Sequence, residues 1–153
     1  MAHGSHQVRL EMPIERIWDF ISDINNWAPL VPGYLEHEII NQEQSIWKLH
    51  GDIGMIKKTV NLKVDIIKWH KPTHIAFRLT RLNESAIGTG YFKAKTLADL
   101  SVEMSGYLNI SAKGMLGQMV NPILNTFVPV VGKEFTEKVA TKILERDRER
   151  LIV

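Results

Sequence analysis

A chain of 153 residues, 44% apolar and 24% charged, has the length and composition of one globular domain that buries its core without staples. The lack of cysteine excludes a disulfide framework and thiolate chemistry. A formal net charge of +2 is too small to argue for nucleic acid as a partner.

Met1 to Gln7 carries histidines and a Gly-Ser pair with no apolar run behind it, so no signal peptide is expected and the expected location is the cytoplasm. Residues 1–6 are expected to be a flexible terminus before a single domain over 7–150. From Gln7 to Met12, Val8, Leu10 and Met12 alternate with Gln7, Arg9 and Glu11, which predicts a half-buried strand. Pro13 then opens a helix with Ile14, Ile17, Trp18 and Ile21 on its apolar side. Ser22 or Asp23 is placed to cap a second short helix through Trp27, which Pro29, Pro32 and Gly33 bring to an end.

Beyond Gly33 the pattern is that of strands. Leu35 to Asn41 and Gln44 to His50 predict a hairpin, with Trp47 and Leu49 on one face, and 51–54 predicts a turn. Thr59 to Trp69 alternates most cleanly, with Val60, Leu62, Val64 and Ile66 on one side. Lys71-Pro72-Thr73 and Asn83-Glu84-Ser85 predict turns on either side of a strand carrying Ile75, Phe77 and Leu79. Ile87 to Leu97 sets Gly88, Gly90, Phe92 and Ala94 on one face, and the last strand does the same with Leu100, Val102, Met104, Gly106, Leu108 and Ile110.

Gly114 to Arg150 predicts one long helix with two unlike halves. Phe135, Val139 and Ile143 recur every fourth residue as a single buried stripe. Before them, Met115, Leu116, Met119, Val120, Ile123, Leu124, Phe127, Val128, Val130 and Val131 make the helix apolar nearly all round, so it needs cover on more than one side. The uncharged run reaches only the lower edge of a membrane span and contains Gln118, Asn121, Pro122, Asn125 and Pro129, which argues against a span but leaves docking at a membrane surface open.

No βαβ alternation appears, so the expected fold is α+β: a seven-stranded antiparallel sheet with one dry face, covered by the carboxy-terminal helix. A sheet of that size curls. A straight rod across it leaves a hollow, and Gly88, Gly90, Ala94 and Gly106 are expected to widen it. Pro122 and Pro129 favour a bend in the rod. The expected lining is Trp47, Leu62, Phe77, Gly88, Gly90, Phe92, Met104, Met119, Ile123 and Phe127, with Trp27, Pro32 and Tyr34 near the mouth. For single residues the plainer meaning stays open: Met104, Met115 and Met119 also serve as core filler, and strand glycines also mark bulges.

Several motifs carry a resemblance: Ile17-Trp18-Asp19-Phe20, Asp23 followed by Trp27, Val31-Pro32-Gly33, 51–58, Gly88-Thr89-Gly90 and 114–118. Over Val8 to Leu144 the chain resembles the helix-grip superfamily of START-like (SRPBCC) proteins, with the CoxG-like family, associated with carbon monoxide dehydrogenase, nearest. The depth of Pro129 in the helix is similar to the polyketide cyclase and dehydrase branch. The resemblance implies a sheet gripping a long helix around a hydrophobic cavity, and a lipid-like or quinone-like ligand. It also implies, as in some relatives, recruitment or maturation of a dehydrogenase complex at a membrane.

The residues offer little chemistry of their own. His70 and His74 flank a turn without a paired carboxylate at ligand spacing, so no metal site is expected. No nucleophile elbow, phosphate loop or dinucleotide fingerprint is present, and neither a cofactor nor a catalytic residue is expected. The polar groups placed to reach the hollow are Tyr34, Trp47 and Asn125, with Tyr107 on the outward parity. The expected function is therefore to hold a hydrophobic small molecule, as carrier or accessory factor. A cyclase-like or dehydrase-like enzyme, and an adaptor docking the apolar half-helix on a membrane or partner, are the alternatives.

Overall fold

A computed structural model describes the backbone of residues 2–53, 56–81, 86–112 and 114–152, and the side chains of these outside 2, 51–58, 81–87, 112–121, 123 and 150–152. The chain runs β1 (Ala2–Leu10), α1 (Ile14–Ile21), α2 (Ile24–Trp27), a 3-10 turn (Ala28–Leu30) and then six strands: β2 (Tyr34–Ile39), β3 (Gln44–Ile53), β4 (Ile56–His70), β5 (His74–Arg81), β6 (Ala86–Thr96) and β7 (Val102–Ala112). A 39-residue helix, α3 (Gly114–Ile152), closes it and contains both Pro122 and Pro129. The seven strands form one antiparallel sheet in the order β1-β7-β6-β5-β4-β3-β2.

Local chemistry sets the elements. Pro13 stands at the N-cap of α1, whose buried side is Ile17, Trp18, Phe20 and Ile21. Asp23 caps α2, its carboxylate accepting the Asn25 amide at 3.0 Å. Gly33 takes φ 83° before β2, a left-handed conformation that favours glycine, and the His50 amide donates to its carbonyl at 2.7 Å.

Several boundaries differ from the sequence reading, among them that of the last strand, which starts at Val102 while Leu100, expected on its inner face, is 79% exposed with φ 70°. β1 starts at Ala2 rather than Gln7, so residues expected to be a loose terminus pair with β7, from Ala2 opposite Ile110 to His6 opposite Gly106. β3 continues to Ile53, where a turn was expected at 51–54. The helix seats against the β1 edge through small residues. A Cβ on Gly4 would come within 2.6 Å of the Pro129 Cα, and Gly132 lies over the Gly4 carbonyl. At the far end α1 and α3 are joined by an Arg16–Asp147 ion pair, and the Arg146 guanidinium lies 5.0 Å from the centre of the Phe20 ring. The expected stripe of α3 is observed, with Val139 and Ile143 buried and Phe135 packed against the main core.

Candidate functional site

The inner face of the sheet is closed at one end by aromatic rings. Trp27, at the end of α2, is 1% exposed, and its indole N–H donates to the Ile21 carbonyl at 2.9 Å. The rings of Phe77, Phe92, Trp47 and Phe135 surround it at centroid distances of 5.3, 5.4, 5.6 and 6.0 Å. Such spacings are those of packed aromatic pairs. Trp27, expected near a mouth, is instead the hub of a packed floor. Trp47, Phe77, Phe92 and Met104, expected as cavity lining, are buried with it. The Trp47 indole N–H is satisfied locally by the Ser45 hydroxyl at 2.8 Å.

The glycines do not widen the interior as expected, because neighbours use the room they leave. A Cβ on Gly90 would meet the Phe77 ring at 2.5 Å, one on Gly88 the Asn109 carbonyl at 2.8 Å, and one on Gly106 the Thr136 hydroxyl at 2.2 Å. Glycine is needed at these points so that a ring, a strand and a helix can approach closely.

The opposite end is built differently. Antiparallel order brings the β3–β4, β5–β6 and β7–α3 junctions together there. Inner-face Leu49, Val60, Leu62, Leu79, Leu108 and Ile110 are only half-buried at this end, as are Pro32, Tyr34 and Phe127. Leu124 and Val128 of α3 form a second small core with Leu108 and Ile110, separate from the aromatic floor. Half-buried side chains also flank the floor, Val8, Ile66 and Phe135 among them, but at this end no ring among the described residues is fully buried. Met119 and Ile123, expected in the lining, lie outside the described side chains.

A hydrogen-bonded chain runs from the start of β2 to α2. The Tyr34 hydroxyl meets His37 Nδ1 at 2.5 Å, and His37 Nε2 meets Asn25 Oδ1 at 2.6 Å. An amide oxygen only accepts, so Nε2–H donates to Asn25, and in the neutral imidazole Nδ1 accepts from the Tyr34 hydroxyl. His37 lies opposite Trp47 and Tyr34 opposite Leu49 in the ladder, with a register shift between Tyr34 and Glu36. Burial lowers the His37 pKa from its ordinary value, partly opposed by the nearby Asp23 carboxylate. Burial thus favours the neutral imidazole. The sequence reading included Tyr34 but missed His37 and Asn25. Asn125, expected to face the hollow, is exposed, and Tyr107 stacks on Tyr91 at 4.9 Å on the outer face, as its parity indicated.

Other grooves lie elsewhere among the described residues. One of about 220 Å³ is lined by Asp23, Asn25, Ile39, Glu43, Ile66 and Trp69, among others, at the floor end. A wider bowl of about 640 Å³ runs from Arg9 and Met12 to Leu100. Among the described residues no helix is long and apolar enough to cross a membrane.

A family model described as "-like:-like" matches residues 1–147. The chain belongs to that family. No curated protein matches its sequence. Among solved structures, a conserved protein from Geobacillus kaustophilus superposes with a TM-score of 0.77 at 14% identity, over 94% of this chain and 95% of that one. The Zhui aromatase/cyclase from a Streptomyces species gives 0.66 at 19% identity, covering 94% of each chain. Norcoclaurine synthase from Thalictrum flavum gives 0.66 at 15% identity, covering 95% of each. Likeness at these identities establishes the fold: a seven-stranded antiparallel sheet gripping a long carboxy-terminal helix. Fold does not carry activity with it.

Proposed function

We propose that this helix-grip protein holds a hydrophobic small molecule, of lipid, quinone or polyketide kind, between the sheet and the first half of α3. One observation carries the reading: the burial gradient on the inner face, from the packed rings around Trp27 to half-buried Leu49, Leu62, Leu79 and Phe127. Aliphatic side chains left partly uncovered inside a fold are favourable surface for an apolar ligand, at about 25 cal/mol per Å² removed from water. Two of the similar structures are named as a cyclase and a synthase, which supports a small-molecule site and leaves its chemistry open.

Carrier or accessory action fits better than turnover. A cyclase-like reaction would use a Tyr or His together with a carboxylate inside the cavity. Tyr34 and His37 supply the first, whereas Asp23, whose charge acts on His37, is exposed and occupied as the cap of α2. The adaptor alternative loses part of its surface, because Leu124 and Val128 are turned into the fold.

Incubation of the purified protein with a lipid extract, followed by native mass spectrometry, tests the reading. Retention of an apolar molecule, abolished in Leu62→Trp, is the expected result. No retained species across quinones, fatty acids and isoprenoids would overturn it.

A further inference from the structure

The hydrogen-bond chain at the β2 edge specifies which end of a ligand the hollow takes. We infer that Tyr34, backed by His37 and Asn25, anchors a hydroxyl donor, so that the ligand is an apolar molecule ending in a phenol or enol. This rests on the binding role proposed above and goes beyond it by naming the polar group.

The argument is one of hydrogen-bond bookkeeping. Asn25 Oδ1 takes the Nε2–H of His37, which leaves Nδ1 as an acceptor, and the Tyr34 proton is committed to it. The Tyr34 oxygen then has lone pairs but no proton to offer. Its ring packs against the main core while remaining half-buried, and the ladder sets Tyr34 opposite half-buried Leu49 of the open aliphatic end. A ligand hydroxyl placed there finds an acceptor; a ligand carbonyl finds none. The arrangement is local and reversible. α2 sets Asp23 and Asn25 against His37, β3 sets the neutral Trp47 ring 6.1 Å away, and its own strand supplies Tyr34. A carboxylate in place of the Asn25 amide would favour imidazolium, whose Nδ1–H donates to Tyr34. The Tyr34 proton would then turn outward, and the anchor would become a donor.

Three probes of one shape separate the possibilities: naphthalene, 1-naphthol and 1-tetralone, titrated into the isotope-labelled protein and followed by NMR. The expected result is that 1-naphthol binds about five- to tenfold more tightly than naphthalene, the effect of one net hydrogen bond, while 1-tetralone gains nothing. Tyr34→Phe, which keeps the ring, removes the difference. Asn25→Asp at about pH 6 makes 1-tetralone bind more tightly than naphthalene, a gain absent from the wild type. Equal binding of naphthalene and 1-naphthol, or an unchanged preference in Tyr34→Phe, overturns the anchor and leaves the hollow standing. Failure of all three to bind overturns the hollow and the anchor with it.

Discussion

Gly106 of β7 and Thr136 of α3 share one space. A Cβ added to the glycine would lie 2.2 Å from the threonine hydroxyl, which donates to the Gly132 carbonyl at 2.8 Å. Helix and sheet approach so closely here because one of the pair has no side chain and the other ties its hydroxyl back onto its own helix. Gly106→Ala should therefore destabilise by about 1–3 kcal/mol, as overpacking does. Thr136→Ala removes the colliding atoms, so the double variant should recover much of that loss. Urea denaturation of the four proteins in a double-mutant cycle checks the coupling. An additive result would show that the contact does not govern the approach.

The contrast between floor and open end gives a second expectation. Phe92 is 1% exposed and packs on the rings of Trp27, Phe77 and Phe135, so Phe92→Ala should cost about 3–5 kcal/mol. Phe127 is half-buried, and Phe127→Ala should cost clearly less stability while weakening retention of an apolar ligand in native mass spectrometry. Equal losses of stability for the two alanine variants, read from urea midpoints, would mean that the interior is uniformly packed.

The contrast also shows what the amino-acid pattern could and could not reveal. Strand faces were legible because alternation survives wherever one side is dry: Val64, Ile75, Phe77, Phe92 and Met104 all point inward as their parity indicates. The start of β1 was not, since Ala2 to His6 has no apolar alternation and joins the sheet only because β7 offers an edge and α3 sits on Gly4. His37 was hidden for another reason. The register shift after Tyr34 puts residues three apart on one face, which a period of two cannot show. The glycines were misread because periodicity reports the face of a residue, not what fills the space above it.

Two histidines set a pH dependence. Burial lowers the pKa of His37, and burial followed by Lys68, Lys93 and His70 lowers that of His74, both from an ordinary 6.5. Below 6.5 the unfolded chain takes up protons that the folded one resists. Their contribution to stability is therefore complete above that value, declines as pH falls toward the folded-state pKa values, and levels off beneath them. Urea midpoints measured from about pH 8 to about pH 5 should fall on the acid side. His37→Gln and His74→Gln should each flatten part of the decline, and an unaltered profile in both variants would assign it to other groups.

The exposed and covered sides of α3 separate stability from membrane contact. Leu124 is 8% exposed and packs with Val128 against Leu108 and Ile110, whereas Val130 is 60% exposed. Leu124→Asp buries an unpaired charge and should destabilise by more than about 3 kcal/mol. Val130→Asp should change stability by no more than about 0.5 kcal/mol. Because the described apolar face is spent inside the fold, Val130→Asp should also leave flotation with anionic liposomes unchanged. Wild-type flotation that Val130→Asp abolishes would instead make the outer side of α3 a docking surface. In that event the burial of Leu124 and Val128 would be a property of the undocked protein, and the helix would serve two partners with its two sides.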